Sequence, residues 1–145
     1  MRNLILAACA VFALASCASD GTLKPSARAK LETASQWAHR GSTTAHALII
    51  GITASCSNNT SKFCATAMPI VALADGALAI FDKALAAGDA ALASGDASDA
   101  TLGNALASLI ETEKDVENFI AQIKTQSSEL PGAPAIVWPE FQPNS

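Results

Sequence analysis

The sequence predicts an all-α protein, an antiparallel three-helix bundle with long Ala-rich helices and an extended Pro-rich C-terminal tail. Three observations carry this. Half of the 145 residues are hydrophobic, yet only 5% are aromatic and Tyr is absent, which argues against a sheet built from aromatic and β-branched side chains. Apolar residues recur at spacings of three and four over three long stretches, the periodicity of one helix face. Short clusters of Ser, Asn, Thr, Gly and Asp separate the stretches, as capping and turn residues do. Nine basic against thirteen acidic residues give a net charge of −4 without any basic patch, which argues against a nucleic-acid binder.

The chain divides into a leader (1–16), a short polar tether (17–24), a bundle (25–130) and a tail (131–145). Met1-Arg2-Asn3 carries one positive charge and Leu4 to Ala15 is uncharged, the two regions of a secretory signal. The run ends in Leu14-Ala15-Ser16-Cys17, an aliphatic residue, two small ones and Cys. This resembles the lipobox of bacterial lipoprotein precursors, in which the Cys is lipidated and the peptide before it removed. Leu6-Ala7-Ala8-Cys9 has the same form, but only five apolar residues precede Cys9, against the roughly 7–15 of an apolar core segment. The resemblance therefore points to Cys17. It also implies an outer-membrane, periplasm-facing location, because Ala18 rather than Asp follows the Cys. Two or three acyl chains anchor a protein stably. The resemblance covers residues 1–17 and implies no activity.

Pro25 can open the first helix, where a missing N–H costs nothing. Its expected span is 26–55, with a seam of Leu31, Ala34, Ala38, Gly41, Ala45, Leu48 and Ile52. Cys56 and Cys64 then stand eight positions apart around a polar loop. In an oxidising periplasm such a pair reads as a disulfide; a metal site or a reactive thiol are the alternatives, and the segment offers no His as a further ligand. The second helix, 61–94, follows the Asn58-Asn59-Thr60-Ser61 cap cluster, with a seam of Phe63, Ala67, Ile70, Ala74, Ala77, Phe81 and Ala84. Within it a seven-residue repeat places Asp75, Asp82 and Asp89 on an outer stripe, with Leu78, Leu85 and Leu92 beside the seam. Its apolar segment Cys64 to Phe81 reads as a buried helix rather than a membrane span. A central Asp costs about 2.5–3.5 kcal/mol on insertion, which the six Leu, Ile, Val and Phe residues at about 0.3–0.6 each roughly cancel, and Pro69 and Gly76 tip the sum against insertion. The third helix, 99–129, begins at the cap Ser98 and shows Leu102, Leu106, Leu109, Val116, Ile120 and Ile123 on one face. It ends before Leu130-Pro131-Gly132.

The tail is extended by four prolines and made sticky by Ile136, Val137, Trp138 and Phe141. Two readings stand: it folds back over the bundle, or Trp138 and Phe141 contact a partner as aromatic anchors.

The candidate chemistry is sparse. His39 and His46 stand two turns apart, about 10.5 Å, too far to chelate one ion, and fall on the outer face. Asp75, Asp82, Asp89 and Asp96 are equally spaced and read as a solvated stripe. Glu113 occupies a seam position, where a polar residue with Lys83 as partner can set register. Trp37 lies beside the first seam and reads as packing. No metal, cofactor or catalytic set is expected. The expected function is a small envelope lipoprotein acting as a non-catalytic helical scaffold or adaptor, with the membrane and an envelope protein as partners. The alternatives are a phage- or mobile-element-encoded lipoprotein of superinfection exclusion or lysis, and an envelope enzyme.

Overall fold

The computed structural model describes residues 26–136; the leader, Cys17, Pro25, Val137, Trp138 and Phe141 lie outside them. Three helices follow in order: α1 (Ala27–Cys56), α2 (Lys62–Ala93) and α3 (Asp99–Glu129), packed pairwise as an antiparallel three-helix bundle. They hold 30, 32 and 31 residues. At about 1.5 Å per residue the rods match in length within a turn.

Each helix starts in the same way. Ser26, Ser61 and Ser98 are N-caps, and each hydroxyl accepts the backbone N–H three residues on, from Ala29, Cys64 and Thr101, at 3.2 Å. This gives a partner to a donor that a helix start otherwise leaves unpaired. The first cap is Ser26, so helical backbone begins at Ala27, two residues beyond the proline expected to open it. Pro69 interrupts nothing. It has no N–H for the Ala65 carbonyl, but Ala65 is exposed and water can take that role, so α2 runs through.

The core is one cluster. Phe63, Phe81, Leu31, Ile52, Leu78, Leu102, Leu109 and Ile123 are its large, fully buried members. The α3 face buries Leu102, Leu109, Val116, Ile120 and Ile123, while Leu106 is half-buried. The other two seams keep five of their seven expected residues each, Leu31, Ala38, Ala45, Leu48 and Ile52 on α1 and Phe63, Ala67, Ala74, Phe81 and Ala84 on α2, and differ at the rest. On α1, Ser35 and Ser42 are buried while Ala34 and Gly41 are only half-covered. On α2, Val71, Leu78 and Leu85 occupy the centre, with Ile70 and Ala77 at its edge. On α2 the reason is that the helix faces two neighbours at once and needs a face wider than one heptad stripe; on α1 it is the bonding of the two serines to α2. By length and composition α2 could also cross a membrane, but in the bundle one side is packed against α1 and α3.

Two devices close one end of the bundle. The Cys56 and Cys64 sulfurs lie at bonding distance, 2.05 Å, joining the end of α1 to the start of α2. Beyond α3, Gly132 adopts φ +82° and crosses directly over Ser61, whose hydroxyl donates to the Gly132 carbonyl at 3.2 Å. A Cβ on Gly132 would stand 2.5 Å from the Ser61 Cβ, so both the left-handed backbone and the close approach require glycine. Ala133 and Ile136 then pack against the buried core. Gly132→Ala should therefore destabilise the bundle by about 1–3 kcal/mol, read as a lower urea midpoint. An unchanged midpoint would show that this crossing contributes nothing to stability.

Candidate functional site

The polar side chains of the bundle converge on the seam between α1 and α2. On α1, Ser35 and His39 are four residues apart, and so are Ser42 and His46, one heptad further on. That spacing stacks all four on one helix edge. Across from them Asp89 and Asp82 are also one heptad apart, and because the helices are antiparallel the two sets meet rung for rung. The Ser35 hydroxyl donates to Asp89 Oδ1 while His39 Nε2 lies 2.8 Å from Asp89 Oδ2. The Ser42 hydroxyl donates to Asp82 Oδ1 at 2.6 Å, and His46 Nε2 lies 2.8 Å from Asp82 Oδ2. A carboxylate only accepts, so Nε2 carries the proton in both rungs. The serines are the buried parts and the imidazoles the exposed ones.

A third tie lies beyond these rungs. The Arg28 guanidinium donates to the carbonyls of Leu92 and Ser94 at 2.7 and 2.8 Å. Helix α2 has no basic residue in its last turn, so α1 supplies the cation that its terminal carbonyls attract.

The placement corrects three expectations. The histidines are on the outside, but they are not free surface groups, and the acidic repeat is not a uniformly solvated stripe. Asp82 and Asp89 are paired, whereas the α1 positions one heptad further along, opposite Asp75, are Ile49 and Thr53. Asp96 lies past the end of α2. The Ser94 hydroxyl, at 2.6 Å, and its own backbone N–H hold its carboxyl below the usual carboxylate value. Glu113 does not reach Lys83; among the described residues no ion pair links them. Trp37 is half-covered, with the Arg40 guanidinium 5.5 Å from its ring centre. The Cys56–Cys64 pair is joined as described, and Cys17, Trp138 and Phe141 lie outside the described residues.

The order of groups decides what the rungs can do. In nucleophilic catalysis a histidine takes the proton of a serine hydroxyl and an aspartate orients the histidine. Here the aspartate stands in the middle and receives both hydrogens, so neither serine has a base on its oxygen. The arrangement ties helices together. Among the described residues no three His, Cys, Asp or Glu side chains gather as metal ligands. The sequence did hold a signal for the ladder: two Ser-x-x-x-His units seven apart, matching two Asp seven apart.

Two further features lie on α3. Burial raises the Glu113 carboxyl above its ordinary value, with the Glu117 charge one turn on adding to the effect, and burial raises Glu117 as well. On the opposite flank Leu73, Ala77 and Ile80 of α2 and Thr112, Asp115 and Phe119 of α3 line a shallow groove. Leu73 and Ile80 are 60% and 58% exposed, high for large apolar residues and a sign of an uncovered surface.

No protein family, curated protein or solved structure matches this chain.

Two outcomes follow from this geometry. Asp82→Ala or Asp89→Ala leaves a buried serine and a histidine without an acceptor and should cost about 1–3 kcal/mol. Asp75→Ala, with the same repeat position but no such partners, should stay within about 0.5 kcal/mol. Equal losses at all three sites in denaturant titration would mean that the rungs contribute nothing specific. For Glu113, a raised folded-state value means that the native protein holds the proton to higher pH than the unfolded chain. Stability is then greatest below the ordinary carboxylate value and is lost as pH rises through the raised one. Glu113→Gln should raise the thermal midpoint near pH 7 and leave it unchanged near pH 3.

Proposed function

We propose that this chain is a small envelope lipoprotein, a non-catalytic helical scaffold or adaptor held on the periplasmic side of the outer membrane by acyl chains on Cys17. The observation that carries the reading is Leu14-Ala15-Ser16-Cys17 at the end of a charged and then apolar leader, nine residues ahead of the cap that starts the bundle. Residues 18–25 reach at most about 26–29 Å when fully extended, which keeps a rod about 45 Å long close to the bilayer surface. The Cys56–Cys64 pair suits an oxidising compartment. A scaffold also accounts for where the polar chemistry lies: its hydroxyls and imidazoles are spent on joining α1 to α2.

Labelling cells with a radioactive fatty acid tests the anchor. Cys17→Ser should lose the label and Cys9→Ser should keep it; label retained by Cys17→Ser overturns the lipoprotein reading. Cross-linking in intact envelopes, followed by purification of the chain, should then recover one recurring envelope protein. Turnover of ester, peptide or glycan substrates by the purified chain would replace the scaffold with an enzyme.

A further inference from the structure

The outward face of α2 is unusually short of charge. Fifteen of its residues are exposed, and among them only Lys62, Asp75 and Lys83 are charged. Ala65, Ala72, Ala79, Ala86 and Ala93 run along it one heptad apart, all exposed, with Leu73 and Ile80 on the flank toward α3. A surface helix ordinarily sets charged and polar groups opposite its buried stripe. Asp75 and Lys83 make no ion pair among the described residues, where both ion pairs belong to the histidines.

The order of groups along this face is self-complementary. Ala79 is the midpoint of the alanine column and also the midpoint between Asp75 and Lys83, four residues to either side. At 3.6 residues per turn Asp75 falls about 40° to one side of Ala79 and Lys83 about 40° to the other. We propose that two copies of the chain meet on this face, α2 against α2 in antiparallel order about a two-fold axis at Ala79. Such an axis sets each residue beside the one equally far beyond Ala79 in the second copy. Asp75 then lies beside Lys83 of the second copy, and Lys83 beside its Asp75. Ala65 meets Ala93 and Ala72 meets Ala86, small enough for the two backbones to approach closely. Charge selects this arrangement over its competitors. Parallel order sets Asp75 beside Asp75 and Lys83 beside Lys83, which repel. An antiparallel shift by one heptad puts Asp75 beside Gly76 and Lys83 beside Met68. The opposite shift puts Asp75 beside Ala90 and Lys83 beside Asp82, whose oxygens Ser42 and His46 already hold. A bilayer would cover the apolar area but strip water from Asp75 and Lys83 without supplying opposite charges.

A thiol placed on the axis tests the pairing in the whole chain, in cells. Ala79→Cys is treated with a short bis-maleimide, which joins free thiols and leaves the Cys56–Cys64 bond untouched. The expected product has the apparent mass of two chains and maps by mass spectrometry to a link between the two residues at position 79. Ala121→Cys, also exposed but on α3, should give none. In the Ala79→Cys background, Lys83→Glu should cut the yield at least about tenfold, because acidic side chains then stand side by side. Asp75→Lys/Lys83→Glu exchanges the charges and should restore it. Each altered side chain is exposed, so the purified chains should keep their helix content; if Lys83→Glu loses it, Lys83→Gln replaces it, with a smaller fall expected. Absence of the two-chain product, a link to another protein, or an equal yield from Ala121→Cys overturns the proposal. So does a yield indifferent to Lys83→Glu, or one that the exchanged charges do not restore. None of these outcomes bears on the fatty-acid labelling, so the pairing and the lipid anchor fail separately.

Discussion

Every seventh residue along one edge of α1 is engaged toward the rest of the bundle: Arg28, Ser35, Ser42, Ile49 and Cys56. Four of the five are tied to α2, through two terminal carbonyls, two aspartates and a sulfur, and the fifth is buried in the core. This column is the constraint on which the rest depends. A bundle rich in alanine has little shape to interlock, so apolar packing alone would allow neighbouring helices to slide by a turn. Directional hydrogen bonds and a covalent link at seven-residue intervals admit one register. The small buried residues between the ties, Ala38 and Ala45, leave room for short serine side chains to reach across.

With α1 and α2 held in that register, α3 completes the core through apolar burial. It supplies Leu102, Leu109, Val116, Ile120 and Ile123, and its half-buried Glu113 makes no ion pair among the described residues. The division of labour is physical: one interface sets alignment through polar groups with fixed geometry, and the others remove apolar area from water without strong directionality. The half-buried Glu113 carboxyl opposes folding at neutral pH, because its charged form gives up water in the bundle.

The same ladder separates a structural use of Ser, His and Asp from a catalytic one. The residue types match a hydrolase, but catalysis needs histidine between serine and aspartate. Heptad geometry instead puts serine and histidine on one helix and aspartate on the other, so the carboxylate bridges them. The ladder's polar groups are thus engaged between α1 and α2, while the apolar α2–α3 flank, with Leu73 and Ile80, stays exposed among the described residues.

The sequence by itself determined the fold class, the order of the helices and their ends. Those features rest on local physics: apolar spacing of three and four, serine caps at 61 and 98, and a proline after the third helix all act within a few residues of where they stand. The nearness of Cys56 and Cys64 in sequence likewise made their pairing legible. What only the tertiary structure decided is which polar residues matter. Asp75, Asp82 and Asp89 are equivalent in the repeat, and their difference lies in what α1 places opposite each. Ser35 and Ser42 replace Ala34 and Gly41 at the seam because a hydrogen bond across the interface stabilises burial of a hydroxyl that the hydrophobic pattern alone would have turned to solvent. Interhelical register is a non-local property, and no window of a single helix contains it.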